Sequence, residues 1–244
     1  MNLRTKIEGF VLICILFNIS TSAGVDVGLD FKGGFNFSNI RGEDIDEAKK
    51  GGADIEMLFG ANGGIGMGIG FRKYFIIQPE IFFAMKGFVS ELGEAEVLGI
   101  MSRELKTSLN YLEIPILFKI NIPAGTVIPN FYIGPYLGIL LNAQTEGKMQ
   151  FSNEMKERLG IEDVNATSDV TDRFEPVDFG LSMGSGIGIK AGPGRFIVDI
   201  RYTLGFLNIR EQNNYTLTSE GLLEGEMKNG SLSLILGYGI DFSN

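Results

Sequence analysis

Residues 25–37 read VDVGLDFKGGFNF and residues 55–71 read IEMLFGANGGIGMGIGF. In the first stretch the odd positions are Val, Val, Leu, Phe, Gly, Phe, Phe, and the even ones are Asp, Gly, Asp, Lys, Gly, Asn. The second repeats the pattern, with Ile, Met, Phe and Ala alternating against a face made mostly of Gly. A period of two sustained over this length is the mark of a strand whose faces meet different surroundings. A helix is excluded here, because Gly in a helix interior is costly.

The same period returns at 77–87, 110–120, 131–141, 177–190, 196–206 and 231–242, which makes eight segments. In all eight, one face carries no charged residue, whereas the opposite faces together hold 13 charged residues and most of the Gly. A soluble barrel would show water the Gly-rich face, and Gly makes a poor solvated strand. An eight-stranded barrel has an interior just wide enough to fill with side chains, which suits Gly mixed with ion pairs. Ile, Phe, Leu and Met then face outward, where only hydrocarbon suits them, and a closed barrel satisfies its backbone there. The fold expected is all-β: an eight-stranded antiparallel transmembrane β-barrel with short periplasmic turns and four long extracellular loops. The short links are Arg72-Lys73 and their neighbours, 121–129 and 191–194; the long ones lie around 39–54, 88–109, 142–176 and 207–230. Those long segments hold 21 acids against 11 bases, so the loops carry the acidic excess of the chain.

The first residues read as an address. Arg4 and Lys6 precede the apolar run 10–19, followed by Ser20, Thr21, Ser22 and Ala23. This is the pattern of a secretory signal peptide over 1–23, with the barrel domain at 24–244. Ten apolar residues are too few to span a bilayer as a helix. Bulky Leu12 and Ile13 before Cys14 argue against acylation of that cysteine. Cleavage after Ala23 leaves a mature chain without cysteine, hence without a disulfide.

Composition narrows the function. His is absent from the 244 residues, which removes His-based triads, Cys–His nucleophiles and ordinary zinc sites. A net charge of −9 speaks against a nucleic-acid partner. The run GIGMGIG at 64–70 imitates a phosphate loop, but its glycines recur at every second position of a strand with no helix to follow. GSGIGIKAG at 184–192 lacks the P-loop spacing. Glu80 and Glu113 are a candidate carboxylate pair, yet Lys86 and Lys119 share their inward face, and ion pairing accounts for them better. Glu43-Asp44 and Glu162-Asp163 are acidic clusters without an EF-hand pattern around them. No catalytic, cofactor-binding or metal residue is assigned, no cofactor is expected, and no enzyme.

The segments IIQPEIFFAMKG (76–87), LNYLEIPILFKI (109–120), FYIGPYLGILL (131–141), DFGLSMGSGIGI (178–189) and RYTLGFLNI (201–209) follow one another in an order that resembles the outer-membrane β-barrel family related to porin T of Gram-negative bacteria. The opening GLDFKGGFNFSNI (28–40) and the closing LSLILGYGIDF (232–242) are similar to its ends. The resemblance implies a small barrel of the outer membrane, with no catalytic residue to carry over. Pro79, Pro115 and Pro135 lie inside strands, where each loses a ladder hydrogen bond and suggests a bulge.

The expected function is that of a structural or interaction protein with a filled lumen and acidic extracellular loops. The alternative is a narrow porin or an accessory component of export across the outer membrane. Expected partners are outer-membrane lipid and lipopolysaccharide, with an extracellular or export-system protein as a further possibility. The termini are expected on the periplasmic side. For the third and fourth segments, opposing Glu80 to Lys119 and Lys86 to Glu113 requires one common register and predicts two inward ion pairs.

Overall fold

The computed structural model of the chain describes residues 25–42, 45, 54–71, 74–92, 100–211, 217–218, 221–222 and 226–242. The expected signal peptide lies outside these residues. The strands are β1 (Val25–Arg41), β2 (Asp54–Phe71), β3 (Phe75–Leu92), β4 (Ile100–Asn121), β5 (Val127–Phe151), β6 (Val164–Asp169), β7 (Val177–Ala191), β8 (Gly194–Gly205), β9 (Leu217–Thr218), β10 (Gly221–Leu222) and β11 (Lys228–Asp241). A short helix, α1 (Asn153–Leu159), separates β5 from β6.

Eight of these strands run antiparallel in the ring β1-β2-β3-β4-β5-β7-β8-β11, and β11 returns to β1. Closure satisfies the backbone of every ring strand on both sides, as hydrocarbon demands. All eight segments read from the alternation are ring strands, and the chain folds as a transmembrane β-barrel. No helix among the described residues is long and apolar enough to cross a membrane. The short turns follow β2, β4 and β7. Gly125 and Gly192 take left-handed φ values of 69° and 62° in two of them, a conformation that a side chain would strain.

The faces divide as expected. Leu236, Ile200 and Phe31 are half exposed on the outer surface, at 58%, 54% and 50%, within a belt of Phe, Ile, Leu and Val. Lys32, Glu80, Lys86, Glu113, Asp178, Asp199 and Arg201 are buried inside. The GIGMGIG run is strand, and its alternate glycines line the interior: an added Cβ at Gly66 would come within 3.0 Å of Glu80 Cγ.

Three details differ from the sequence reading. The register of β3 on β4 is slipped by four residues: Phe82 faces Glu113, Lys86 faces Leu109, and Ile76 faces Lys119. The prolines cause no bulge. Pairing lapses between Pro79 and Phe82 on β3 and between Pro115 and Phe118 on β4, then resumes in the same register. The register shifts lie instead at Met57/Asn62, Ile100/Ser102 and Asn110/Tyr111. Finally, β4 and β5 continue about ten residues past the belt, into stretches read as loops. There Glu104 faces Lys148 and Lys106 faces Glu146, cross-strand pairs that need no hydrophobic alternation.

Candidate functional site

The lumen is built in layers. In the layer nearer the short turns, Lys32 on β1 places its ammonium 2.8 Å from Glu80 Oε1 on β3 and 3.2 Å from Asp199 Oδ2 on β8. Arg201, two residues beyond Asp199, forms an ion pair with Glu80 Oε2 at 2.8 Å and stacks on Phe82, 5.0 Å from the ring centroid. Gln78 donates to both Glu80 and Asp30, each at 3.0 Å. Arg195 holds Asp30 at 2.7 Å and also Asp241. The whole layer is one net of ion pairs and hydrogen bonds tying four strands together, β1, β3, β8 and β11. The small residues of β7 make room for it: a Cβ at Gly184 would lie 2.6 Å from the Tyr132 ring, and one at Gly186 would overlap the Asp199 carboxylate.

The second layer lies toward the long loops. Lys86 pairs with Glu113, stands 4.0 Å from Asp178, and lies 4.8 Å from the centroid of the Tyr136 ring. Asp178 also accepts from the Tyr136 hydroxyl at 2.8 Å and from Asn229 at 2.9 Å. Burying charge at this depth is costly, and pairing offsets much of the cost. Above this layer sits an apolar cap, in which Ile45, Val170, Ile209 and Met227 from the connections pack on Ile40, Leu109 and Ala143.

Of the two ion pairs expected from sequence, Lys86–Glu113 forms and Glu80–Lys119 does not. Glu80 is taken by Lys32 and Arg201, and the Lys119 ammonium lies 5.5 Å from the centroid of the Tyr132 ring. Sequence reasoning looked only at neighbouring strands, whereas a narrow lumen lets charges meet across it. It also missed the cap. The cap residues belong to connections and upper strands with no strict period, and only their isolated Ile, Val and Met among polar neighbours hint at burial. Phe82, Leu117, Tyr132 and Tyr136 are all buried and help to fill the lumen.

Among the described residues no group of three or more His, Cys, Asp or Glu could hold a metal ion. Glu43-Asp44 lies outside the described residues. At the second acidic cluster, Asp163 is already engaged: it accepts from the Lys156 ammonium at 2.9 Å and from the Phe151 amide at 3.0 Å. These bonds, the ammonium's first, hold its carboxyl below the ordinary carboxylate range. Asp169 is lowered likewise, by the Thr171 amide and then the Thr171 hydroxyl.

A closed ring with an apolar belt, a buried polar net inside and polar connections at one end defines an integral β-barrel of the outer membrane. The family model described as an outer membrane protein beta-barrel domain matches residues 21–211, and the chain belongs to that family. Among solved structures it is similar to Ail, the attachment invasion locus protein of Yersinia pestis, with 13% identity and a TM-score of 0.39 over 87% of this chain and 98% of that one. It is also similar to OprG from Pseudomonas aeruginosa, with 11% identity and a TM-score of 0.41 over 89% of this chain and 96% of that one. Neisserial surface protein A shows 12% identity and a TM-score of 0.39 over 90% and 98%. No protein of curated function matches the chain in sequence.

Proposed function

We propose that this outer-membrane barrel is a non-conducting structural or interaction protein that works through its acidic extracellular loops. The observation that carries the reading is the double blockage of the lumen: two layers of buried ion pairs, then an apolar cap drawn from the connections. A solute would have to break several buried pairs to pass, each costing about 3–5 kcal/mol when one partner is left alone. The surface that remains for function is the loop side. Its acidic excess suits divalent-cation bridging to lipopolysaccharide or a basic protein partner.

Export by the leader at 1–23 and an even strand number set both ends of the barrel domain, and the short turns, on the periplasmic side. The lack of His in the sequence supports a non-catalytic role. The narrower kinship with porin T is supported by the ordered segments that carry it, all of which lie wholly or largely in ring strands.

Planar-bilayer recording tests the blockage. The full barrel is expected to give no large, stable open level; reproducible large openings would overturn the reading and favour the narrow porin. Binding of polylysine to proteoliposomes tests the loops. It is expected to fall when Glu154, Glu157 and Glu162 are replaced together by Gln, and undiminished binding would count against the acidic surface.

A further inference from the structure

We infer that β6 is a docking edge, which takes up an extended basic segment of an external protein by strand addition. The inference rests on the reading of the acidic loops as an interaction surface and names the element that does the work. β6 (Val164–Asp169) pairs with the upper part of β5 on one side, where the ring below has β7. It ends the sheet order, and among the described residues nothing pairs with its other side. All six of its residues are exposed.

The register says which backbone groups are free. Val170 donates its amide to Ala143 O, so position 170 bonds toward β5. Alternate residues of an antiparallel strand bond to the same side, so Ser168, Ala166 and Val164 also turn to β5. The amides and carbonyls of Asn165, Thr167 and Asp169 therefore point away from the sheet. Exposed edges are normally blunted by Lys, Pro, a bulge or an inward charge. The sequence VNATSD has no Lys or Pro, and its pairing to β5 runs without a shift.

An extended peptide is the occupant that matches a row of alternating donors and acceptors. Two further observations define it. Glu162 stands just before the edge and Asp169 at its end, which favours a basic segment. Beside the edge, a groove of about 230 Å³ has Leu105, Gly147, Met149, Val164 and Ala166 on its lining, together with Lys148, whose charge is paired with Glu104. Gly147 forms its floor, since a Cβ there would come within 3.3 Å of Leu105. Every second side chain of an added strand would point to the side of this groove, so small apolar residues alternating with Lys fit best.

The test uses the full barrel in nanodiscs and an eight-residue peptide of alternating Val and Lys, beside the same peptide N-methylated at alternate residues. Binding is expected for the first, with the amide resonances of Asn165 and Thr167 shifted and protected, and about tenfold weaker for the methylated peptide. Thr167→Pro removes an outward amide that β5 does not use, and should weaken binding about tenfold, while Thr167→Val should change it less than about twofold. Equal binding of the methylated peptide, or unmoved Asn165 and Thr167 amides at saturation, would overturn the docking edge. Salt-sensitive binding of both peptides would reject the edge and leave the acidic-loop reading standing, whereas polylysine binding undiminished by the triple Glu→Gln change would reject that reading by itself.

Discussion

Lys32 on β1 and Glu80 on β3 meet at 2.8 Å although β2 runs between them. The bridge is possible because β2 presents Gly64 opposite Lys32 and Gly66 opposite Glu80. A side chain at Gly66 would run into Gln78 and Glu80, and one at Gly64 into the Ile81 carbonyl and Phe82. Gly66 is thus a spatial requirement of the charged net, and Gly64 of the close approach of β3.

From this follows a contrast between two neighbouring glycines. A Cβ at Gly66 would lie 2.9 Å from Gln78 Nε2 and 3.0 Å from Glu80 Cγ, both fixed in the net. A Cβ at Gly68 would meet only Ile76 Cγ2, at 3.4 Å. Gly66→Ala should cost about 1–3 kcal/mol in a urea titration of the barrel refolded in lipid, the usual cost of overpacking. Gly68→Ala should be close to neutral. Equal effects would mean that the glycines serve the backbone and not the net.

The Lys86–Glu113 pair makes a second prediction. Lys86→Met leaves Glu113 and Asp178 facing one another without a cation, and should cost about 3–5 kcal/mol. Lys86→Met with Glu113→Gln should cost less than the sum of the single changes, because partners in one network couple. The corresponding cycle for Lys119 and Glu80 should show weaker coupling. Strong coupling there and none at Lys86–Glu113 would contradict the observed pairing.

The sequence made the barrel legible because a period of two fixes the facing of each side chain whatever the register. Thus the alternation alone turns Leu234 outward and Phe82 and Lys86 inward, without knowledge of any neighbour. Register was harder, because it was argued from charges on adjacent strands, and Glu80 finds Lys32 and Arg201 across the lumen. A four-residue slip preserves every facing, so the alternation could not detect it. The prolongation of β4 and β5 above the membrane was illegible for a related reason. Both faces are wet there, and Glu104–Lys148 replaces the hydrophobic signal with charge.

Asp163 and Asp169 predict how the third long connection responds to acid. Both carboxyls are held below the ordinary range by bonds to the ionised form. Their contribution to order is therefore complete above the ordinary carboxylate pKa and is lost as pH falls through the lowered folded values. Amide chemical shifts of Phe151 and Thr171 should stay constant through neutral and mildly acidic pH, then move together with protonation of Asp163 and Asp169. Shifts that track the ordinary Asp range would show that neither bond forms in the membrane-bound protein. Lys156→Met should raise the titration of Asp163 and leave that of Asp169 where it is.

The outer face yields the last prediction. Leu234 on β11 lies opposite Phe35 on β1 and Ile200 on β8, and all three are about half exposed in one row across the middle of the belt. In water such a row would be an aggregation surface, whereas in the bilayer it meets acyl chains. Leu234→Arg places a charge at the depth where desolvation is greatest, and should cost about 2–4 kcal/mol in a lipid-refolding titration. Its neighbour Ser233 is buried on the lumen side, opposite Asn36 and Arg201, where polar partners are at hand. Ser233→Thr should therefore be tolerated. The two residues are adjacent in sequence and share the same strand ends, so a difference in strand stability cannot explain unequal costs. Only their facing can, and a neutral Leu234→Arg would mean that this row does not face lipid.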